Sequence, residues 1–218
     1  MIGLTPGVTY CEIADAFIFL DVRRDRYQQL PPGLAGQFLR LRRGQISAES
    51  LQALIATGLF ERRDSLEDLS PASGSKPGTS ALDQDTSKTA AWRSIALVWS
   101  HAAAGLSLKI LPLYRVLERC ADRRLRHRGT SARAPELSTV QLARDFQLSN
   151  LIVPRHDRCL LKAVALVEFL SFYRRYPAII FGVCLRPFSA HCWVEDGGVL
   201  LSDPVDAISH YTPILRVG

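Results

Sequence analysis

A cysteine, a histidine and an aspartate in the last third of the chain have the residue types and the order of a nucleophilic catalytic triad. Cys159 is followed by His191 after 32 residues and by Asp203 after 12 more. In such a triad a thiolate attacks a carbonyl carbon, an imidazole carries the proton, and a carboxylate fixes the tautomer of that imidazole. The three residues therefore predict acyl chemistry, of which peptide hydrolysis is one form.

The stretch SAHCWVEDGGVLLSD predicts a β-hairpin that carries both the histidine and the aspartate. Apolar residues alternate on either side of the turn at Asp196-Gly197-Gly198. With these three residues as the loop, His191 stands opposite Asp203, whereas a two-residue loop would place Ser202 or Pro204 there. Opposed side chains lie about 4.5–5.5 Å apart at Cβ, so the three-residue register predicts a hydrogen bond between histidine and aspartate.

The stretch DRCLLKAVALVEFL predicts a helix that begins next to the cysteine. Asp157 is expected as the N-cap, which places Cys159 about two residues into the helix. Unpaired backbone N–H groups and the helix dipole stabilise a thiolate at this position, and the same groups would supply part of an oxyanion hole. The apolar residues that would bury this helix against the sheet are Leu160, Leu161, Val164, Val167 and Leu170.

Each of these residues also has a purely structural interpretation. Free cysteines are commonly small buried hydrophobes, an interpretation favoured for Cys11, Cys120 and Cys184. Cys192 competes with Cys159 as the nucleophile, but it points to the opposite face of the strand from its neighbour His191. The pair of His191 and Asp203 could equally be a structural hydrogen bond. No metal site is predicted, because zinc sites usually take at least two ligands from one tight spacing, and none is present.

The first sixty residues predict a small unit that is rich in strands at its start and helical at its end. Three strand-like runs lie between Val8 and Leu30, separated by turns. Two helices follow, of which the first opens on prolines and closes at Gly44, while Ser47 is the N-cap of the second.

A composition change divides the chain into three parts: 1–70, a linker at 71–88, and 89–218. The linker is rich in Ser, Pro, Gly, Asp and Thr and has no apolar period. After it, one or two long helices are predicted, with a break near Gly105 or Pro112, and then a short helix N-capped by Ser138. A helix from Cys159 to about Arg175 precedes three strand-like segments. Helices followed by antiparallel strands predict an α+β fold.

The overall composition limits the classes of function. A hydrophobic content of 47% is typical of a folded protein, and a net charge of +6 favours acidic partners. Five scattered cysteines without a CxxC pair predict a reducing, cytoplasmic environment. No membrane span is predicted, because His101 and Lys109 interrupt the most apolar window.

Seven arginines lie between Arg115 and Arg133. They predict either a solvated helix face or a docking surface for an acidic partner. Nucleic-acid binding is disfavoured, because the run has no interleaved aromatic residues beyond Tyr114 at its edge.

The motif FGVCLRPFSAHCWVE, together with the order Cys, His, Asp, resembles the transglutaminase-like cysteine peptidases that mature lasso peptides, often called lasso-peptide B proteins. The similarity covers roughly residues 90–215. It implies a papain-like or transglutaminase-like domain in which Cys159 attacks a peptide carbonyl, His191 relays the proton and Asp203 orients the imidazole. Trp193, two residues after the histidine, is expected to contact substrate.

The N-terminal segment resembles the peptide-recognition element of such pathways, which is related to the pyrroloquinoline-quinone peptide chaperone. The resemblance implies a winged-helix-like β3α3 unit with a third helix near Leu59–Leu69. In that family a leader peptide adds a strand to the edge of the third strand. The residues expected at this edge are Arg26, Tyr27, Gln28, Gln29 and Leu30. The structural alternative is a small β-α cap.

Together these resemblances imply a leader peptidase without a bound cofactor. It would bind the leader region of a lasso-peptide precursor, cleave it, and supply the core to an ATP-dependent macrolactam synthetase, so that any ATP dependence would come through this partner. Two alternatives stay open: an enzyme that transfers the acyl group to an amine, and a scaffold that presents the precursor with an inert thiol.

Overall fold

The computed structural model describes residues 2–63, 69–72, 74, 77–83, 93–127, 138–149 and 159–218. The chain divides into two units, one of Met1–Ser73 with Thr212–Leu215 and the other of Gly74–Tyr211 with Arg216–Gly218. The structure is a mixed arrangement of sheets and helices, in agreement with the predicted α+β class.

Residues 2–63 contain five strands and two helices: β1 (Ile2–Leu4), β2 (Val8–Ile13), β3 (Ala16–Asp21), β4 (Arg26–Gln29), α1 (Pro32–Arg42), α2 (Ala48–Ala56) and β5 (Phe60–Arg62). Strands β2, β3 and β4 form an antiparallel sheet in that order, and β1 pairs with β5 in a second sheet. The three strand-like runs predicted before Leu30 are confirmed. The two-stranded sheet was not predicted.

An aromatic core joins the three-stranded sheet to α1. Phe17 and Phe19 are two residues apart on β3, so their side chains lie on the same face. Phe38 of α1 is fully buried against them, with its ring centroid 5.0 Å from that of Phe17 and 5.3 Å from that of Phe60. The Phe17 contact is edge-to-face, a favourable geometry for aromatic pairs. This cluster holds the sheet and helix together within one small unit.

The predicted start of α2 is confirmed. The side chain of Ser47 accepts a hydrogen bond from the backbone N–H of Ser50, at 3.3 Å, which satisfies one of the donors left open at a helix N-terminus. Gly58 follows the helix with φ of +74°, a conformation that glycine adopts without strain.

The helix predicted near Leu59–Leu69 is wrong for its first residues. Phe60–Arg62 is strand β5 and pairs antiparallel with β1, while residues 64–68 lie outside the described part of the chain. The third helix was implied by the family resemblance alone, and in the structure pairing with β1 satisfies the backbone N–H and C=O groups of this segment instead. The unit therefore has two helices in its described residues, and the winged-helix-like arrangement stays a prediction.

The remaining elements of the described chain are β6 (Thr79–Ser80), a 3-10 turn (Ala81–Asp83), α3 (Arg93–Ile110), α4 (Leu113–His127), α5 (Thr139–Ser149), α6 (Cys159–Phe172), β7 (Ala178–Leu185), β8 (Phe188–Asp196), β9 (Val199–Leu200), α7 (Val205–Ile208) and β10 (Thr212–Val217). The sheet order is β10-β7-β8-β9-β6, with β7, β8 and β9 antiparallel and β6 parallel to β9. Helix α6 packs against strand β8 and also against helices α3 and α5. The three predicted strand segments are confirmed, and β6 and β10 were not predicted.

The helices of the C-terminal unit begin and end close to the predicted places. The break between α3 and α4 falls at Pro112, which cannot donate a helical hydrogen bond. Helix α5 follows Ser138, whose hydroxyl accepts from the N–H of Gln141 at 3.1 Å while the Gln141 side chain accepts from the N–H of Ser138. Within the described residues no helix has both the length and the apolarity to cross a membrane.

Part of the predicted linker at 71–88 belongs to the C-terminal sheet. Thr79–Ser80 pairs with β9, and Ala81 is fully buried. The short polar segment thus completes an edge of the sheet, a role that its composition did not indicate. Residues 73, 75–76 and 84–88 of the predicted linker lie outside the described part of the chain.

Candidate active site

The hairpin of β8 and β9 has a two-residue loop, so the predicted three-residue loop is wrong. Glu195 pairs with Leu200 and Asp196 pairs with Val199, which leaves only Gly197-Gly198 between the strands. The two glycines have φ of +56° and +82°. Two successive positive φ values match the hairpin turn whose twist suits antiparallel strands, and glycine adopts them freely.

His191 and Asp203 nevertheless meet, by a different route from the predicted register. The described ladder of β9 ends at Leu200, and residues 201–203 continue as a bend. There His191 Nε2 lies 3.1 Å from Asp203 Oδ1. Since Nε2 contacts the carboxylate, Nδ1 is the ring nitrogen left for a second partner.

The backbone around Asp203 is held by residues far away in the sequence. The Ser80 hydroxyl donates to the carbonyl of Asp203 at 2.8 Å, and the Gln147 side-chain amide donates to the carbonyl of Ser202 at 2.8 Å. Both residues were missed in the sequence, and no local pattern marks them, because they lie 123 and 55 residues from their partners.

Cys159 is the first residue of α6 and is partly exposed. Its thiol is hydrogen-bonded to the Cys192 thiol and to the His191 ring, and these bonds outweigh burial and lower the pKa of Cys159 to about 4. Because of this lowered pKa, the sulfur is a thiolate near neutral pH, the form of cysteine that acts as a nucleophile. Asp157, the predicted N-cap, lies outside the described residues.

His191 has the complementary charge. Burial disfavours the charged ring, but the hydrogen bonds to Asp203 and Cys159 exceed that effect and raise the pKa of His191 to about 9. The sulfur and the imidazole thus form a thiolate–imidazolium pair, with the carboxylate on the far side of the ring. This arrangement can attack a carbonyl carbon and then deliver a proton to the leaving group.

Cys192 is a neighbour of the nucleophile rather than the nucleophile itself. It is 3% exposed, and its hydrogen bond to the Cys159 sulfur together with burial raises its pKa well above the ordinary value. The sequence pattern predicted that this side chain points away from His191, but its contact with Cys159 was missed. Burial raises the pKa of Cys11 to about 12 and that of Cys120 to about 11, in agreement with their interpretation as core residues.

Trp193 does not form an open substrate surface. Its side chain is 1% exposed and packs in the sheet's core with Ile180 and Leu200. The indole lies against Gly182, where an added Cβ would be 2.5 Å from Trp193 Cζ3. The expected direct contact with substrate is therefore wrong for this structure, and the tryptophan is part of the support beneath His191.

The five residues expected to bind a leader divide into two groups. Arg26, Gln28 and Gln29 of β4 are exposed, and Tyr27 is partly buried. Leu30 is 1% exposed within the aromatic core, so its side chain cannot contact a bound peptide. The sheet order β2-β3-β4 gives β4 one strand neighbour within the described residues.

Part of the outer edge of β2 is occupied. The backbone N–H of Ala72 donates to the carbonyl of Tyr10 at 2.8 Å, and the Tyr10 hydroxyl donates to the carbonyl of Leu69. Ala72 thus takes a backbone acceptor of β2 that an added strand would use. The candidate edge for an added strand is therefore β4.

Two arginines of the basic run attach α4 to the rest of its unit. Arg123 forms an ion pair with Glu168 at 2.6 Å, and Arg124 donates to the carbonyl of Tyr176 at 2.6 Å. This part of the run has a structural role that was not predicted. Arg128 and Arg133 lie outside the described residues.

Among the described residues there is no group of three or more His, Cys, Asp or Glu side chains arranged to hold a metal ion.

Comparison with known proteins places the C-terminal unit in a family. Residues 102–216, more than half of the chain, match the family profile of the transglutaminase-like superfamily. This span includes the cysteine, the histidine and the aspartate described above. No curated protein and no solved structure gives a significant match.

Proposed function

Because the chain belongs to the transglutaminase-like superfamily, we propose that it is a cysteine peptidase that removes the leader from a lasso-peptide precursor. Members of this superfamily are typically cysteine-based enzymes. The observation that carries the proposal is the continuous hydrogen-bonded series from Cys159 through His191 to Asp203. A series of this kind activates a thiolate and keeps a proton available for the leaving group.

The proposed reaction has two steps. The Cys159 thiolate attacks the carbonyl carbon at the end of the leader, while backbone N–H groups at the start of α6 stabilise the oxyanion. The imidazolium of His191 gives its proton to the departing amine, which frees the core and leaves the leader as a thioester. His191, now neutral, takes a proton from water, and the resulting hydroxide equivalent releases the leader as a carboxylic acid.

The assignment of a lasso-peptide precursor is supported by the motif around the histidine. Gly182, Val183, Pro187 and Phe188 precede the run AHCWVE in the order that characterises the lasso-peptide B proteins. Gly182 stands directly opposite His191 in the β7–β8 ladder. The motif thus lies mainly on the two paired strands, β7 and β8, that position His191.

Recognition of the leader is proposed to occur by strand addition at β4. A backbone acceptor of β2, the carbonyl of Tyr10, is already bonded to Ala72, and the side chains of Arg26, Gln28 and Gln29 are exposed. In this mode backbone hydrogen bonds provide affinity, and side chains along the strand provide selectivity. The free core would then pass to an ATP-dependent macrolactam synthetase.

The test uses the full chain, a precursor peptide with its leader, and mass spectrometry of the products. Hydrolysis gives two peptides whose masses sum to that of the precursor plus one water. We expect Cys159→Ala and His191→Ala to abolish cleavage while precursor binding persists. Cys184→Ala is the matched control, because it removes another partly exposed thiol that lies outside the proposed triad.

Other products would identify the alternatives. A product that carries an added amine in place of water indicates acyl transfer through the same thioester. Binding of the precursor by the unaltered chain, with no cleavage under any condition in which the synthetase is active, indicates a scaffold. Undiminished cleavage by Cys159→Ala would exclude the proposed nucleophile.

A further inference from the structure

The hydroxyl of Ser202 lies between the backbone of β8 and the carboxylate of Asp203. Ser202 Oγ accepts a hydrogen bond from the N–H of Val194 at 2.9 Å. It also donates to Asp203 Oδ2 at 2.5 Å. The other carboxylate oxygen, Oδ1, is the one that contacts His191.

These bonds replace a ladder hydrogen bond that a regular hairpin would have. With a two-residue loop, Val194 stands opposite Leu201 as a hydrogen-bonded pair, in which each N–H meets the other's carbonyl. The N–H of Leu201 does donate to the carbonyl of Val194, at 2.8 Å. The N–H of Val194, however, donates to the Ser202 hydroxyl instead of the Leu201 carbonyl.

The direction of the Ser202 hydroxyl follows from the inventory of donors. A serine hydroxyl has one proton and two acceptor sites. The N–H of Val194 can only donate, so it occupies an acceptor site of Ser202 Oγ. The single proton is then left for Asp203 Oδ2, which accepts it.

The register explains why this side chain is needed. Asp203 lies beyond the paired part of β9, which ends at Leu200, so no ladder bond holds it in place. Val194 and His191 belong to the same strand. A bond from Val194 through Ser202 therefore fixes the carboxylate relative to the strand that carries the imidazole.

We propose that Ser202 is a positioning residue, which orients the carboxylate of Asp203 toward His191 by bridging it to the N–H of Val194. This inference rests on the proposed function only in assuming that the histidine and the cysteine are catalytic. Ser80 and Gln147 hold the adjacent carbonyl groups, so they limit backbone movement but leave the carboxylate free to rotate. Ser202 is the described side chain that fixes this rotation.

The test compares Ser202→Ala with Ser202→Thr, which keeps the hydroxyl. Ser202→Val is the matched partner of Ser202→Thr, because the two have nearly the same size and differ in the hydroxyl. Ser209→Ala is the control, because it removes an exposed hydroxyl that donates to the carbonyl of Asp206. Thermal unfolding is measured for each variant.

Two readouts are needed. The first is the rate of Cys159 alkylation by iodoacetamide as a function of pH, which requires no substrate and reports the thiolate–imidazolium pair. The second is kcat and KM for precursor cleavage. A bond to a charged group contributes enough to change kcat by about tenfold or more.

We expect Ser202→Ala and Ser202→Val to move the alkaline limb of the alkylation profile to lower pH and to lower kcat by about tenfold, with KM little changed. Ser202→Thr should restore both.

The proposal would be overturned if Ser202→Ala and Ser202→Val kept an alkylation profile and a kcat within twofold of the unaltered chain. A loss of kcat with an unchanged alkylation profile would also overturn it. If Ser202→Ala fails to fold, the comparison of threonine with valine decides. If the precursor is not cleaved at all, the proposed function fails, while the alkylation profile still tests Ser202.

Discussion

At the scale of single residues, the five thiols of the chain differ in reactivity because they touch different groups. Cys11 and Cys120 are buried, and burial raises the pKa of each. Cys159 contacts a thiol and an imidazole, and its pKa is lowered. The charged pair that results is the property that the proposed chemistry needs.

The pH dependence of Cys159 follows from the two shifted groups. Above pH about 4 the sulfur is a thiolate, and below pH about 9 His191 keeps its proton. Precursor cleavage should therefore be highest between these values and fall on both sides, because attack needs the thiolate and departure of the amine needs the imidazolium. Initial rates measured from pH 3 to pH 11 check this, with Cys184→Ala as the control.

Alkylation at about pH 6 tests the same pair without substrate. The rate at Cys159, located by peptide mapping, should exceed the rate in the urea-unfolded chain by at least about tenfold, since the unfolded thiol has an ordinary pKa. His191→Ala and Cys192→Ala should each slow the labelling, because each removes a hydrogen bond that stabilises the thiolate. Equal rates in the folded and unfolded chain would contradict the lowered pKa.

At the scale of elements, the backbone of β7 at Gly182 packs closely against the Trp193 indole of β8. Gly182 pairs with His191, and the Trp193 ring fills the space that a side chain at this position would need. The Tyr211 side chain also lies 3.1 Å from the position of an added Cβ. The ring of Tyr211 is 5.4 Å from that of His191. The glycine thus allows two aromatic residues to pack beneath the histidine.

Gly182→Ala should destabilise the chain and reduce cleavage. An added methyl group would force the Trp193 indole to move, at a cost of about 1–3 kcal/mol in the free energy of unfolding. His191 lies directly opposite and would shift with the strand. Urea unfolding and precursor cleavage measure the two effects.

Gly36→Ala is the matched control for this change. Gly36 is exposed in the middle of α1, and an added Cβ there meets nothing within 4 Å. Alanine favours a helix over glycine, so this variant should be as stable as the unaltered chain or more stable by up to about 1 kcal/mol. Equal stability of the two variants would show that the space above Gly182 is not constrained.

At the scale of the whole molecule, recognition and cleavage are proposed for two units of one chain. Binding of a leader to the N-terminal unit would make the encounter of the scissile bond with Cys159 intramolecular. The leader then affects KM, while the triad determines kcat. A change at β4 and a change at the triad should therefore have separable effects.

Gln29→Pro tests the proposed edge. The N–H of Leu30 donates to the carbonyl of Phe17, and the alternation of an antiparallel ladder then turns the N–H of Gln29 away from β3. Proline removes this outward donor without breaking the bonds to β3, and edge strands accept it. We expect KM for the full precursor to rise about tenfold with kcat unchanged.

Two controls accompany this variant. Gln29→Ala keeps the backbone donor and should leave KM unchanged, because strand addition depends on backbone bonds. A short peptide that spans the leader–core junction but lacks the rest of the leader should be cleaved equally by Gln29→Pro and the unaltered chain. An unchanged KM for Gln29→Pro with the full precursor would place leader binding elsewhere.

Local signals in the sequence determined most of the helix boundaries and the identity of the chemical groups. Ser47 and Ser138 cap the helices that follow them, and Pro112 separates α3 from α4, because caps and breaks depend on residues a few positions apart. The sequence also predicted the cysteine, the histidine and the aspartate as one site. It could not determine the register of the hairpin near His191 and Asp203, since two or three residues of Asp196-Gly197-Gly198 could form the turn.

Tertiary structure alone decided how these groups are held and charged. Strand β5 exists because β1 pairs with it, and Ser80 reaches Asp203 across 123 residues of sequence. The hydrogen bond between Cys159 and Cys192 joins a helix to a strand, so no periodicity within either one could indicate it. A side chain's type is a property of the sequence. Its pKa and its partners depend on which distant groups the fold brings within hydrogen-bonding distance.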